Sequence, residues 1–482
     1  MTADLSYERM KKIVSALLVA GLLAILLIVG GAHRHTVVKP VAEPEQTADG
    51  QDEDVPDDID ENLDDTDDVS RDDTDQNEND ADQTEDADGM KIGVILIGDE
   101  TENYSRSHIE AIVKAAETIG IVADDIEWKE RIDNSDESYD AVSELLDDGC
   151  NLLIANAQVQ QDALMDAAEE NPDASFVVIG GDKAAVSGLT NYYNAYTDIY
   201  EARYLSGVVA GMKLAQLHKK GKISKYGYNK YNRVRVGYIA TYPNAEAISG
   251  YSAFYLGMKS VMKNVALEVY YTNTWMDMDA EATAADKMIR SGCVLIAQQS
   301  DSTSVAETIE KAWKKGRHVY YIGSGEAADV AAEDAVLTSA ISDWSVYYTQ
   351  LFTALSEEKD FAQDWSQGLS EGAVSITKLG KHVAPKTAEK VKKVQKKLTN
   401  GKRYVFDITK FTVGGMRIGD ADASVDLTAP DSTEEPAEDD IVKSALTSYD
   451  GGTYFAESVL RSAPYFDLHI DGIKEMNLTE EE

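Results

Sequence analysis

The sequence predicts an α/β protein built from two similar, doubly wound, parallel-sheet lobes. Three observations carry that expectation. The middle of the chain is written twice: "SELLDDGCNLLIANAQ" ends a helical pattern at Gly149-Cys150 and enters an apolar strand, and "DKMIRSGCVLIAQQSD" repeats this at Gly292-Cys293. Each copy follows an opening strand, "KIGVILIGD" from Lys91 and "RVGYIATYP" from Arg235, and precedes a further helix and strand, "SFVVIGG" from Ser175 and "HVYYIGS" from His318. Strand and helix patterns alternate at the spacing of βαβ units throughout. Ligands of such sheets sit beyond the strand carboxyl ends, and two facing lobes make a cleft there.

In chain order, Ile13 to Gly31 comes first, 19 residues without a charge and long enough to span a bilayer. Arg9, Lys11 and Lys12 flank it, which places residues 1–12 in the cytoplasm and the rest outside. No cysteine follows the run, so a lipidated N-terminus is excluded. A cleaved signal ending near Gly30–Ala32 is the alternative to an uncleaved anchor at 13–31. Residues 32–89 follow as an acidic linker. Between Glu43 and Gly89 there are 23 Asp/Glu against Arg71 alone, about half the excess behind a net charge of −42. With so few large apolar residues this stretch is expected to be a disordered tether, reaching roughly 40 Å when relaxed. Its acidic strings lack the Gly and terminal Glu that an EF-hand loop requires. A chain this acidic overall repels phosphate, so it is expected to bind nucleic acid poorly and no nucleic-acid partner is expected.

From Met90 the composition is globular. Strands are expected at 92–97, 152–155, 176–179, 236–240, 266–271, 294–297 and 319–322. Helices are expected at 107–119, 138–146, 199–214, 247–262, 280–289 and 304–315. The two cysteines occupy matching repeat positions and read as small buried hydrophobes in different lobes, too far apart to bridge. Lys213 to Arg235 holds eight Lys/Arg interleaved with Tyr226, Tyr228 and Tyr231 and reads as an exposed helix end and loop, with a docking patch or a nucleic-acid surface as the functional alternative. Thr387 to Lys402 places Val391, Val394 and Leu398 at helical spacing among lysines, an amphipathic helix with a solvated face. A Pro/Glu/Asp cluster at 429–440 reads as a surface loop.

No catalytic constellation is present: no G-x-S-x-G, H-E-x-x-H, G-x-x-x-x-G-K-[ST] or paired C-x-x-C. Nothing calls for a metal or cofactor, and the chain is not expected to be an enzyme. Aromatic and hydrogen-bonding residues instead collect at strand ends. They are Asp99 and Tyr104 after the first strand, Asn156 and Gln158 after the second, Tyr242 after the fourth, and Trp275 in "TNTWMD". Gln298 and Asp301 follow in "LIAQQSDS", and Trp344 in "SAISDW". Aromatic faces sandwich a flat ring, while amides and carboxylates bond to its edge or to sugar hydroxyls.

From about Met90 to Leu478 the chain resembles the basic membrane protein family of ABC-transporter substrate-binding proteins. The stretches that carry the resemblance are "NYYNAYTDIYEARYLSGVVAG" from Asn191, "VGYIATYPNAEAISGYSAFYLGMKSV" from Val236, "NTWMDMDAEATAADKMIRSG" from Asn273, "LIAQQSDS" from Leu295 and "LTSAISDWSVYY" from Leu337. The resemblance implies a type I periplasmic-binding-protein fold with three hinge crossings, near Tyr196, Gly323 and Ser342. One lobe would then hold 90–196 and 325–341, the other 197–324 and 342–482 with a C-terminal extension. It further implies a purine nucleoside or related purine as ligand, an ABC permease as partner and a monomer. By motif position, Tyr104 and Trp275 would stack on the ring, while Asp301 and Asn156 would bond to its edge or its ribose. Trp344 matches a Trp of the same branch. Asn156 and Gln158 replace a Ser-Phe pair, and Glu326 stands in a turn where the family carries Asp. A membrane helix stands where many relatives carry a lipidated cysteine. A ligand sensor without a transporter and a nucleoside-acting enzyme are the rival readings.

Overall fold

The computed structural model describes residues 89–428 and 441–477. The apolar run at 13–31, the acidic linker up to residue 88 and the acidic cluster at 429–440 lie outside the described residues. Among the described residues no helix is long and apolar enough to cross a membrane.

The first repeat runs β1 (Ile92–Ile95), α1 (Asn103–Glu117), β2 (Ile126–Lys129), α2 (Ser135–Asp147), β3 (Leu152–Ala155), α3 (Gln161–Glu170), β4 (Ser175–Ile179), a short α4 (Ala184–Ser187) and β5 (Tyr192–Thr197). The second runs α5 (Ile199–Lys219), β6 (Val234–Ala240), α6 (Ala245–Lys259), β7 (Val265–Tyr271), α7 (Met278–Ser291), β8 (Leu295–Gln298), α8 (Ser304–Lys314), β9 (Tyr320–Ser324), a short α9 (Ala327–Ala331) and β10 (Val336–Ser342). After them come α10 (Ser345–Ser356), β11 (Asp364–Gln367), β12 (Val374–Ile376), α11 (Thr387–Thr399) and strands β13 (Ser424–Asp426) to β17 (Ile473–Asn477). The expected strands and helices are all present, shifted by a few residues at their ends, where caps and not the apolar period set the boundary.

One sheet has the order β11-β5-β4-β3-β1-β2, the other β12-β10-β9-β8-β6-β7-β17. Stripped of their outer strands, the two have the same order. The register repeats as well: Ile92 faces Leu152 across β1 and β3, and Val236 faces Leu295 across β6 and β8. Both sheets are parallel except where β12 runs against β10. Their central strands are buried on both faces, which is why they read as continuous apolar runs. Cys150 and Cys293 are free and buried, in separate apolar clusters.

The "YLSGVVAG" and "YSAFYLGM" stretches form α5 and α6, which pack backbone to backbone. A Cβ on Gly207 would overlap the Phe254 carbonyl, and one on Gly257 would overlap that of Tyr204. Only glycine permits this approach, so the motif records a helix contact and not a ligand loop. On α11, Val391, Val394 and Leu398 are buried while its lysines face outward, each apolar side chain contributing on the order of 1.5–3 kcal/mol.

The lobe boundaries differ from those expected after residue 324. Strand β10 pairs with β9, so 325–341 belongs to the second sheet and not the first. Helix α10 and strand β11 return to the first lobe: Tyr347, Tyr348, Leu351 and Phe352 join its core, and β11 extends its sheet beside β5. The three crossings therefore fall at 197–198, 342–343 and 368–373. No crossing occurs near Gly323. The sequence repeat does not extend past β9, so periodicity gave no warning of the return.

These crossings are bonded to one another. The Thr197 and Ser342 hydroxyls lie 2.7 Å apart, Asp198 N donates to Gln367 O at 2.9 Å, Asp343 N to Ala373 O at 2.8 Å, and Leu369 N to Glu201 Oε2 at 2.8 Å. Three strands fixed side by side in this way bend together, as a hinge requires.

Candidate functional site

The carboxyl ends of both sheets face each other, and α1 and α6 begin there. On the first lobe, Tyr104 is the second residue of α1. Its hydroxyl donates to Asn156 O at 2.7 Å and its ring meets His108 edge-on at 4.6 Å. His108 lies 4.5 Å from Trp344, which stands edge-on to Tyr196. Burial pushes the His108 imidazole down to about 3, so it is neutral. Its Nδ1 shares a hydrogen bond with Tyr348 Oη at 2.8 Å, and its Nε2 has no partner among the described residues. The ring cluster of this wall carries no charge.

The second wall is ionic. Arg203, on the first turns of α5, is buried; Nη1 donates to Gln298 O and Nη2 to Ser324 Oγ, both at 2.9 Å. It thereby ties the ends of β8 and β9. Glu246, the second residue of α6, meets the Tyr196 hydroxyl and the Gln299 amide. Burial raises its pKa, opposed by those hydrogen bonds and by Arg203. Burial, with help from Glu246, Glu281 and Glu102, pushes Asp301 up to about 7 against the pull of Arg203. Asp301 is thus a carboxyl that both donates and accepts near neutrality. The walls touch directly where Asn103 Nδ2 donates to Asp301 O at 3.0 Å.

Trp275 projects beside this group, 41% exposed, with its carbonyl accepting from Asp301 N at 3.4 Å and its ring edge-on to Tyr242 at 5.2 Å. Its loop is held by Thr272 Oγ1, which donates to Thr274 O, and by Asn273 in the left-handed region at φ 57°, a conformation Asn tolerates. An exposed indole at a cleft mouth is free to meet a flat ring.

The structure thus gathers Tyr104, Trp344, Tyr242, Trp275 and Asp301 around one cleft, and reassigns the other expected contacts. The Asn156 side chain is buried and occupied, its Oδ1 accepting from Ile97 N at 2.7 Å, so it positions the β1 loop and offers no edge to a ligand. Gln298 spans its own loop, donating to Ser300 O and Ser302 O and accepting from Tyr321. For Asp99, burial opposes the charge, but the Thr101 hydroxyl and amide and the Arg131 guanidinium outweigh it and hold the carboxyl below its usual range. It is a loop brace. Trp344 supports the wall from the core, 4% exposed. Gln158 is exposed and donates to Asp182 at 2.8 Å. Glu326 is exposed at the start of α9, away from these contacts. Arg203, Glu246 and Tyr196 were not expected at the site. Arg203 opens, and Glu246 ends, a stretch without a single Asp or Glu from 202 to 245, a signal that was available in the sequence.

Two lobes of parallel sheet, a bonded three-strand hinge and a cleft lined by rings and carboxyls define a hinged solute-binding protein. Residues 94–407 match the family described as ABC transporter substrate-binding protein PnrA-like, and the chain belongs to that family. Its members are substrate-binding proteins of ABC transporters, not enzymes, and face the outside of the cell membrane. A purine-binding protein of Brucella abortus is 28% identical over 292 residues, covering 60% of this chain and 75% of that protein. A putative ABC transporter glucose-binding protein of Haloferax volcanii is 26% identical, covering 50% of this chain and 55% of that protein. A solute-binding protein of an Aeropyrum pernix ABC transporter system superposes with a TM-score of 0.54 at 15% identity, covering 65% of this chain and 92% of that one, a likeness of fold.

Proposed function

We propose that this chain captures a purine nucleoside or free purine in the cleft and presents it to an ABC permease as a monomer. The observation that carries the reading is the pairing of an aromatic wall with a titrating carboxyl across one cleft. Trp275 and Tyr104 cover the faces of the ring. Asp301, near half-protonated at neutral pH, donates to a ring nitrogen and accepts from an exocyclic amine, and Glu246 takes the place first given to Asn156. The similarity to a purine-binding protein points to the same ligand class. Residues 13–31 would hold the receptor at the membrane with residues 1–12 inside, and the acidic linker would keep it near its permease.

The test is a melting-temperature screen of the protein against adenosine, guanosine, adenine, riboflavin and glucose. A ligand that binds only the folded form raises the melting temperature, by about 2.7 kcal/mol of stability at a hundredfold excess over its Kd. A shift with a purine and none with glucose supports the reading; a shift with glucose alone replaces it.

A further inference from the structure

Two sequence-distant basic segments meet on one face of an otherwise acidic molecule. Eight Lys/Arg lie between Lys213 and Arg235, with no Asp or Glu from 202 to 245, and ten more lie between Gly372 and Phe406 against Glu389 alone. Together they hold eighteen of the chain's 45 basic residues. Lys213 Nζ donates to His382 O at 2.6 Å, and Arg403 Nη1 to Tyr204 Oη at 3.3 Å, so α11 runs antiparallel along α5 and brings both segments side by side.

This face is solvated. Lys219, Lys220, Lys222 and Lys225 are exposed, as are Lys392 and Lys396 on α11. None of these six enters an ion pair among the described residues. By contrast Arg235 is taken by Glu268, and Lys381 by Asp334. Two tyrosines project from the same loop: Tyr226 is 68% and Tyr231 52% exposed, with the Lys225 and Lys230 ammoniums 5.0 and 4.7 Å from their ring centroids. The loop joins the end of α5 to the start of β6, so it lies at the amino edge of the second sheet, opposite the cleft.

We propose that this lysine–tyrosine face is a docking surface for an anionic membrane. Lysines without local counter-charges attract lipid phosphates near the surface, and tyrosines settle at the headgroup level. Negative charge elsewhere on the molecule is screened beyond about 10 Å at 0.1 M salt, and within that range it turns the basic pole toward a negative surface. Docked so, the cleft wall of the second lobe lies on the side of its sheet away from the bilayer. This holds whatever the cleft binds.

The experiment is amine-acetylation footprinting, read by mass spectrometry, of the full chain reconstituted with vesicles of neutral phosphatidylcholine or of phosphatidylcholine with 30% phosphatidylglycerol. Several-fold slower acetylation of Lys219, Lys220, Lys222 and Lys225 on anionic vesicles alone is expected, with Lys359 on the first lobe unchanged. The protection should vanish in 0.5 M KCl and in a Tyr226→Ser/Tyr231→Ser/Lys220→Glu/Lys222→Glu variant with an unaltered melting temperature. Equal protection on neutral vesicles, or none on either, overturns the proposal. Protection by inorganic phosphate without vesicles reassigns the face to a free anion, and protection by a poly-aspartate peptide but not by vesicles reassigns it to an acidic protein. Either result also overturns it.

Discussion

The two lobes share a frame and differ in the chemistry they hang on it. In each, the second residue of the helix after the opening strand reaches the cleft, and the residue just past the third strand holds that position: Tyr104 donates to Asn156 O, and Gln299 Nε2 donates to Glu246 O. In one lobe the reaching residue is an aromatic, in the other a carboxyl. The ring cluster of the first wall is uncharged down to its neutral imidazole, whereas the second wall carries Arg203, Glu246 and Asp301. Duplication thus supplied the geometry twice, and substitution at equivalent positions gave one wall the faces of a ring and the other its edge.

The largest break in this division should come from Arg203→Ala. It unties the ends of β8 and β9 and leaves two buried carboxyls without their cation. A loss of about 3–5 kcal/mol in denaturant unfolding, together with loss of ligand binding, is expected. Next is Trp275→Ala, which removes a ring face at an exposed position. Affinity by calorimetry should fall by about 1–3 kcal/mol with the melting temperature unchanged. An unaltered affinity would move the aromatic role to the first lobe alone. Asp301→Asn tests the edge: it should flatten the dependence of affinity on pH between about 6 and 8, where the native carboxyl titrates.

A pH effect on stability should follow from the same enclosure. Burial raises Asp198 to about 6, Glu201 and Asp301 to about 7 and Glu457 to about 8. Each binds its proton more tightly folded than unfolded, so the stability it contributes is full below about pH 4 and is lost as pH rises through 6 to 8. Melting temperature should therefore be higher at pH 5 than at pH 8, and Glu201→Gln at the hinge should reduce that difference. The smallest effects belong to Gln158→Ala and Glu326→Ala, both exposed, each expected to change affinity and stability by less than about 0.5 kcal/mol. A tenfold loss of affinity in either would return it to the site.

By itself the sequence determined the two repeats, the central strands of both sheets, the buried cysteines and the residues at the strand ends. Period and apolar patterning report which face of an element is buried, and these elements are buried by their own neighbours along the chain. What only the tertiary structure decided depends on partners far apart in sequence. Asn156, Asp99 and Gln298 have the composition of ligand contacts, yet donors from elsewhere in the chain already occupy them, and Ile97 N, Arg131 or the Tyr321 hydroxyl cannot be seen to do so from a pattern. Arg203 becomes central because α5, packed on β10 and β12, carries its guanidinium to the ends of β8 and β9. The return of 343–372 to the first lobe, and the meeting of two basic segments along α5 and α11, arise from packing between elements 150 or more residues apart. Local propensity carries no information about such contacts, because their free energy appears only when the lobes are assembled.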